Sequence, residues 1–298
     1  MDDSKSNDKT NKHETNTVDD KKNEYEKENF VPIQEYTGQG YTLRDSRPET
    51  GQIANEHHNE VEKAVQHFFK DKYKTEVAVH NIVSAADGVS VFVESVGEPH
   101  FYTFAIVPID IKTKKIETDS VWSQEGQVEN AIKGGLYAMA FEDKFSNLDK
   151  YMEEITNDYP VVGTPVKAVG NVMGTGYSTP YYFIAPSGDV FKKLYQLYES
   201  NPNINKQDIK IFFKENKFEP RYLNIGIELY MKKSHVTPDK DIYDKIYTDI
   251  KEMENIPSGE YSIILNDNYI DQKRAIGQKD NSIDKTRAKG ILKNSKGD

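Results

Sequence analysis

Seven histidines are the residues of this sequence best suited to bind a metal or to carry protons. His57, His58 and His67 lie on the first predicted helix, and the last two each precede a carboxylate by four residues, on the same helix face. A zinc site needs three or four convergent ligands, and no His-Glu-x-x-His pattern is present. His80 and His100 lie in or beside predicted strands and could approach each other. The pattern favours surface or interface histidines and predicts no metal site.

A charged segment at residues 42–51 contains two arginines, Arg44 and Arg47. Paired charges of this kind are typical of a solvated loop with local salt bridges. The alternative is a recognition loop for an anionic group, because a guanidinium can donate two parallel hydrogen bonds to such a group. Arg44 and Arg47 are therefore candidate ligand-binding residues.

The glycine-rich segment 170–179 follows a predicted strand, as a phosphate-binding loop would. Such a loop needs a helix directly after it, whereas Pro180 and a second strand follow here, and the segment contains no lysine. We interpret it as a flexible loop or hairpin connection. The alternative is a loop that gates a ligand and is flanked by Tyr177, Tyr181 and Tyr182, which are further candidate ligand-binding residues. Tyrosines suit surfaces that bind sugars or peptides, although most of the 19 have core-like spacing.

Signatures of catalysis are missing from the sequence. No cysteine is present, which excludes disulfides, thiol nucleophiles and Cys-ligated zinc or iron–sulfur centres. There is no Gly-x-Ser-x-Gly elbow, and the body has no Ser-x-x-Lys at a helix start. Carboxylates are numerous, so a glycosidase-like pair stays open, but no feature singles one out. We predict no catalytic residue and no cofactor.

Composition limits the partners of the protein. A net charge of -10 is unfavourable for binding nucleic acid, anionic lipid or an anionic cell wall. The sequence contains no run of about 18 apolar residues, which is the length that a membrane-spanning helix needs. Residues 1–30 hold few apolar side chains, so they cannot offset their backbone entropy and should form a disordered tether. Their acidic start, Met1-Asp2-Asp3, does not match a basic signal sequence.

The order of the predicted helices and strands, which must position these residues, indicates an α+β fold in two halves. In the first half, residues 31–160, an extended arm at 30–53 precedes a helix packed on an antiparallel meander, an α-β-β-β module. Apolar periodicity predicts the helix at 55–73 and the strands at 77–84, 89–96 and 101–111.

Two further helices are predicted at 126–143 and 147–156. The pair Gly134-Gly135 is unfavourable inside the first of them, which indicates a close packing contact.

The second half, residues 161–268, is predicted as a further α+β unit of helices and antiparallel strands. We expect the two halves to meet near 160–163. Residues 269–298 are polar, Lys-rich and without periodicity, which predicts a disordered tail. The strands of this half are predicted at 161–172, 181–185, 222–231 and 259–265, and the helices at 189–199, 206–217 and 237–255.

Three segments, residues 36–51, 67–73 and 92–101, resemble a known family. They read YTGQGYTLRDSRPETG, HFFKDKY and FVESVGEPHF. They are similar to sequences of uncharacterised staphylococcal lipoproteins, a family known only as a domain of unknown function. The resemblance covers the body from about Val31 onwards. It implies a signal peptide, a palmitate-bearing cysteine at the mature N-terminus, and the outer face of a Gram-positive membrane, and it implies no activity.

This sequence differs from that pattern because it has neither the signal nor the cysteine. We expect this of a chain that starts just after the lipid site, or of a relative that lost the anchor. The leading hypothesis is a lipid-tethered, extracytoplasmic protein that binds a protein, peptide or glycan and does no chemistry. Its contact with the membrane would be the lipid anchor alone. One alternative is an envelope hydrolase that cleaves peptidoglycan or peptide with carboxylates, and another is a cytoplasmic accessory protein.

Overall fold

The first half of the chain contains a four-stranded antiparallel meander. The structure is a computed structural model that describes residues 24–174 and 176–294. The strands of this first sheet follow chain order, and the turn at Asp87 and Gly88 joins the first two. They are β2 (Val77–Ser84), β3 (Gly88–Ser95), β4 (Tyr102–Asp110) and β5 (Lys115–Ile116).

The helix predicted at 55–73 is in fact two helices, α1 (Pro48–Glu56) and α2 (His58–Tyr73). The end of the predicted extended arm at 30–53 is therefore helical. Pro48 starts α1 because a proline at the first helical position has its φ set correctly and needs no partner for an N–H.

The apolar stripe predicted for α2 is buried against one face of the meander, which confirms the helix-on-meander module. β-branched residues that alternate along β3 supply the other side of this contact. The buried residues on the two sides are Val61, Val65 and Phe69 of α2 and Val89, Val91 and Val93 of β3.

Two helices, α3 (Gln127–Ala140) and α4 (Glu142–Asp158), follow the meander as predicted. A Cβ atom at Gly135 would lie 2.6 Å from the carbonyl oxygen of His100, a distance that a side chain does not tolerate. The close packing contact predicted from the glycine pair is therefore confirmed.

The second sheet has β8 (Leu223–Met231) at its centre. One edge of β8 pairs in the antiparallel direction with β7 (Tyr182–Pro186) and with β6 (Val161–Val162). The other edge pairs in parallel with β9 (Gly259–Asn266). The prediction of only antiparallel strands is therefore wrong here, because α8 (Lys240–Glu252) connects β8 to β9 and makes the crossover that parallel strands need.

Two further helices of this half, α6 (Gly188–Ser200) and α7 (Lys206–Glu215), confirm the three predicted helices together with α8. The side chain of Asp239 caps α8 by accepting hydrogen bonds from the N–H groups of its first turn.

Residues 161–172, predicted as one strand, form β6 and then a helix, α5 (Val166–Val172). Valines favour strands by propensity, but Pro165 is compatible with the start of a helix, and Ala168 and Val169 are buried. The helix lies on β2 and β3 of the first sheet. Tertiary packing has therefore overridden the local preference.

Residues 269–294 are folded, so the prediction of a disordered tail is wrong for this part. β10 (Tyr269–Asp271) pairs with β1 (Phe30–Pro32), and β11 (Ile291–Lys293) pairs with the start of β9. Strands of three residues are too short to show periodicity. Of the predicted tether, residues 24–29 are helical, and residues 1–23 lie outside the described residues.

One hydrophobic cluster continues through both halves, from Val61 of α2 to Ile263 of β9. The predicted α+β class is confirmed, and the boundary near 160 stays a prediction. In the described residues no helix combines the length and the apolar character needed to cross a membrane.

Candidate functional site

A β-bulge in β2 places His80 beside Glu94 of β3. The register between these strands shifts between Val79 and Asn81, so that His80 is the extra residue. Bulges are common beside functional sites because they redirect a side chain. The ring of His80 thereby reaches the carboxylate of Glu94.

Glu94 accepts hydrogen bonds on both of its carboxylate oxygens. Nε2 of His80 lies 2.7 Å from Oε2, and Nε2 of His100 lies 2.8 Å from Oε1. The hydroxyl of Tyr102 also donates to Oε1, at 3.1 Å. The side chains of Glu94, His80 and His100 are 30%, 32% and 32% exposed. We call these four residues the Glu94 cluster.

The chemistry of Glu94 decides which ring nitrogens donate. Burial raises the pKa of Glu94, but the hydrogen bonds from His100, His80 and Tyr102 outweigh this effect and the pKa is lowered. An ionised carboxylate only accepts, so both imidazoles donate through Nε2–H. In a neutral ring, Nδ1 then carries a lone pair. Within the described residues, neither Nδ1 has a hydrogen-bond partner.

Packing fixes the two imidazole rings of the cluster. The ring of His100 makes edge-to-face contacts with Tyr102 and Tyr177, at centroid distances of 5.2 and 6.0 Å. The ring of His80 lies against Gly170 of α5, where a Cβ atom would be 3.2 Å from Nδ1. A larger residue at Gly170 would therefore crowd the His80 ring.

The glycine-rich segment connects the two sheets through backbone hydrogen bonds. Gly176 and Tyr102 exchange two of them, both 2.9 Å long, and the carbonyl of Tyr177 accepts one from the N–H of Ile184 at 3.0 Å. The N–H of Thr179 donates to the carbonyl of Tyr182 at 2.8 Å, which closes a hairpin. Residues 170–172 belong to α5, so the segment joins a helix, rather than the predicted strand, to β7, and an isolated antiparallel bridge links Ser178 to Phe183.

Of the predicted tyrosines, Tyr177 contacts His100 of the Glu94 cluster, and Tyr182 contacts Tyr177. Tyr182 is buried, and its hydroxyl donates to Oδ1 of Asp149 at 2.7 Å. Burial raises the pKa of Asp149 and raises the pKa of Tyr177 to about 12. The third, Tyr181, is half-buried, and its carbonyl accepts a hydrogen bond from the N–H of Glu228 in the second sheet.

The two predicted arginines lie apart from these tyrosines. The side chain of Arg44 is 96% exposed and lies 3.9 Å from Asp45, and that of Arg47 is 56% exposed and lies 3.4 Å from Asp87. These are the local salt bridges expected of a solvated loop. Across residues 24–174 and 176–294, no hydrogen bond or ion pair joins either arginine to the Glu94 cluster.

The other predicted histidines, His57 just before α2 and His58 and His67 on it, are exposed, and each lies beside a carboxylate three or four residues later in the chain. No group of three histidine, aspartate or glutamate residues in the described part of the chain could hold a metal ion.

Sequence reasoning missed Glu94, although it noted that His80 and His100 could approach each other. Both rings do meet, at the same carboxylate. The available signal was Glu94 as the one charged residue of β3.

The fold and the cluster define an α+β protein of two connected sheets with a carboxylate–imidazole site on the first. The fold is similar to that of a DUF1672 family protein from Staphylococcus aureus subsp. aureus Mu50, whose crystal structure is known. The TM-score is 0.69 and the identity 21%, over 90% of this chain and 99% of that chain. At this identity the likeness shows the fold.

A family model described as "Protein of unknown function (DUF1672)" matches residues 23–293. The chain therefore belongs to the DUF1672 family. This confirms the resemblance to a domain of unknown function. No curated protein matches the sequence.

Proposed function

We propose that the protein is a non-catalytic binding protein of the cell envelope and that its ligand binds at the Glu94 cluster. The observation that carries this proposal is the Glu94 carboxylate, which lies between two half-exposed imidazoles and has both oxygens occupied. Three of the about four acceptor positions of this carboxylate are used to hold the two imidazoles and the Tyr102 hydroxyl. We therefore assign Glu94 the role of orienting the two rings, and we assign the rings the role of contacting the ligand.

The Nδ1 atoms of His80 and His100, which have no hydrogen-bond partner among the described residues, point to the chemistry of the ligand. They accept hydrogen bonds, so they suit a partner that presents hydroxyl or amide donors, such as a glycan or a peptide. Tyr177 contacts His100 and adds an aromatic surface beside these acceptors. Arg44, Arg47, Tyr181 and Tyr182 stay predictions as ligand contacts.

The proposal includes a lipid anchor at the extracytoplasmic face of the membrane. Its support is the resemblance to lipoproteins together with the polar, charged composition of residues 1–29. Antibody labelling of intact and lysed cells tests this location. Labelling of intact cells is expected, and a signal seen only after lysis would overturn it.

Binding is tested by titrating isotope-labelled protein with soluble muropeptides and wall oligosaccharides while the imidazole nitrogen signals are recorded. At least one probe should shift the Nδ1 signals of His80 and His100. The variants His80→Ala and His100→Ala should weaken that binding by about tenfold or more each. Matched controls are His58→Ala and His67→Ala on α2. Equal affinity in all four variants, or hydrolysis of the probe, would overturn the proposal.

A further inference from the structure

The two sides of the first sheet differ in how far their edges are covered. On the side of β4 that faces away from β3, the backbone of Tyr102 exchanges two hydrogen bonds with that of Gly176. Ile106 exchanges two with Trp122, and β5 pairs with the end of the strand. The opposite edge is β2, which pairs with β3 alone in the part of the chain that the structure describes.

Backbone hydrogen bonds at the two ends of β2 show which of its groups point outwards. The N–H of Val96 donates to the carbonyl of Glu76 at 2.8 Å, and the N–H of Ala85 donates to the carbonyl of Gly88 at 2.9 Å. Residues of an antiparallel strand point their backbone groups alternately towards and away from the partner, and the bulge at His80 shifts this alternation by one residue. The residues that point away from β3 are therefore Val77, Val79, Ile82 and Ser84.

These outward N–H and carbonyl groups have no hydrogen-bond partner among residues 24–174 and 176–294. Ala78 is exposed, and Val79 and Ile82 are half-buried, so solvent reaches the middle of the edge. Edge strands are commonly protected by lysine, by proline or by being very short. β2 has eight residues, VAVHNIVS, and contains no proline, lysine, arginine, aspartate or glutamate.

We infer that an extended peptide adds to β2 as a further strand and is the ligand of the Glu94 cluster. The inference rests on the proposed function, because His80 belongs both to β2 and to the cluster. The outward N–H and carbonyl groups supply the main-chain hydrogen bonds that such an addition needs. A side chain of the added strand on the Glu94 side of the sheet would lie beside the His80 ring, where a hydroxyl or amide would donate to Nδ1.

A short peptide fits this edge better than a second copy of the chain does. Each copy has a net charge of -10, so two copies repel each other. The bulge at His80 twists the edge, which opposes the flat pairing of two equal strands. The eight residues of β2 span about 26 Å at about 3.3 Å per residue, and a peptide of about eight residues matches this length.

The test uses a peptide of alternating threonine and valine, about eight residues long, with a lysine at each end for solubility. It is added to isotope-labelled protein while amide hydrogen exchange and the imidazole nitrogen signals are recorded. With the peptide in excess, exchange at Val79 and Ile82 should slow by about tenfold or more, and the signals of His80 should shift.

The outcomes separate the inference from the proposed function. Shifted His80 signals without slower exchange at Val79 and Ile82 would overturn strand addition and leave the proposed function standing. Slower exchange without shifted signals would support strand addition and count against the Glu94 cluster as the binding site. If neither changes, the inference is overturned.

Two N-methylated forms of the peptide test the main-chain hydrogen bonds. Methylation removes a peptide N–H, and only alternate residues of a bound strand point their N–H groups at β2. The form that is methylated at those residues should lose about tenfold or more in affinity, and the form that is methylated at the others less than about threefold. Equal losses would contradict strand addition.

A matched pair of variants tests the same bonds from the protein side. Val79→Pro removes an outward N–H that β3 does not use, so the pairing of β2 with β3 is kept, whereas Val79→Ala shortens the side chain and keeps the N–H. The first should lose about tenfold or more in peptide affinity and the second less than about threefold. Equal affinities would overturn the inference. Circular dichroism checks folding, and the N-methylated peptides decide the question if Val79→Pro unfolds.

Discussion

Two glutamates, Glu94 and Glu228, lie on the central strands of the two sheets. Their environments shift the glutamate pKa in opposite directions. Glu94 of β3 uses both oxygens and has partners that can carry positive charge, so its pKa is lowered even though burial opposes this. Glu228 of β8 uses one oxygen, Oε1, which accepts from the Tyr230 hydroxyl at 3.0 Å and from the Asn266 amide at 2.7 Å. Burial raises the pKa of Glu228.

Solvent access separates the two regions further. Tyr230 and Asn266 are 1% and 0% exposed, whereas the imidazoles beside Glu94 are half-exposed. Glu228 therefore satisfies buried donors, which is a contribution to folding. Glu94 holds charge and oriented rings at the surface, which is consistent with the proposed binding of a ligand there. The nature of the partners and the access of water, rather than the residue type or its strand position, separate these roles.

The largest effect is expected for Glu228→Ala compared with Glu94→Ala. The first variant leaves two buried donors unsatisfied and should lower the free energy of unfolding by about 2–4 kcal/mol. The second should lower it by about 1 kcal/mol, because water can reach the half-exposed donors that it frees. Urea denaturation measures both values, and an equal or larger loss for Glu94→Ala would contradict the comparison.

The two glycines of α3 should respond differently to substitution by alanine, because Gly135 lies against His100 of the Glu94 cluster and Gly134 lies near Ile184. A Cβ at Gly135 meets the carbonyl oxygen of His100, so Gly135→Ala should cost about 1–3 kcal/mol and move the His100 ring signals. At Gly134 the nearest atom, Cγ1 of Ile184, lies at an ordinary 3.4 Å, and Gly134→Ala should be neutral or gain up to about 1 kcal/mol. Thermal unfolding and imidazole spectra check this pair, and similar results for both variants would count against the packing role of Gly135.

The smallest effects are expected for replacement by glutamine. Glu228→Gln keeps an acceptor at Oε1 for both donors, so stability should change by less than about 0.5 kcal/mol near neutral pH. Glu94→Gln places an amide N–H against Nε2 of one histidine, so that ring must change to the other tautomer in order to accept, and the variant should cost about 1 kcal/mol. Urea denaturation of both variants tests this difference in the free energy of unfolding. The prediction would be wrong if both substitutions left that free energy unchanged.

The same two glutamine variants should show opposite pH dependence. A lowered pKa means that the stability due to Glu94 is complete above its ordinary pKa and is lost as pH falls below about 4.5. A raised pKa means that ionised Glu228 costs stability, and that this cost appears as pH rises above about 4.5. Lowering the pH should therefore reduce the loss in the free energy of unfolding that Glu94→Gln causes. It should lower the free energy of unfolding of Glu228→Gln relative to that of the unchanged protein. Changes of the same sign in both would contradict the assigned environments.

Local pattern was sufficient for much of the fold. The stripe of α2, the alternation of β3 and β8 and the glycine pair of α3 all stand where periodicity predicted them. The errors fall where distant contacts decide. α5 is a helix because it packs between distant elements, and β10 and β11 are strands because sheet edges far away in the chain pair with them.

For the site, the sequence indicated that His80 and His100 could approach each other and made Tyr177 a candidate ligand-binding residue, but it did not indicate the residue that joins the two histidines. The local pattern of β3 shows Glu94 as its one charged residue, but it does not show which side chains that residue meets. The pairing register and the bulge at His80 supply that distinction.

The sequence by itself determined the α+β class, the strands and helices with strong periodicity, and the absence of cysteine chemistry. These depend on side-chain order along the chain, which short-range physics can read. Only the tertiary structure decided the parallel pairing of β8 with β9, the docking of α5, and the meeting of two histidines at Glu94. Each of these depends on contacts between residues far apart in the chain, and the free energy of such contacts is absent from any local window.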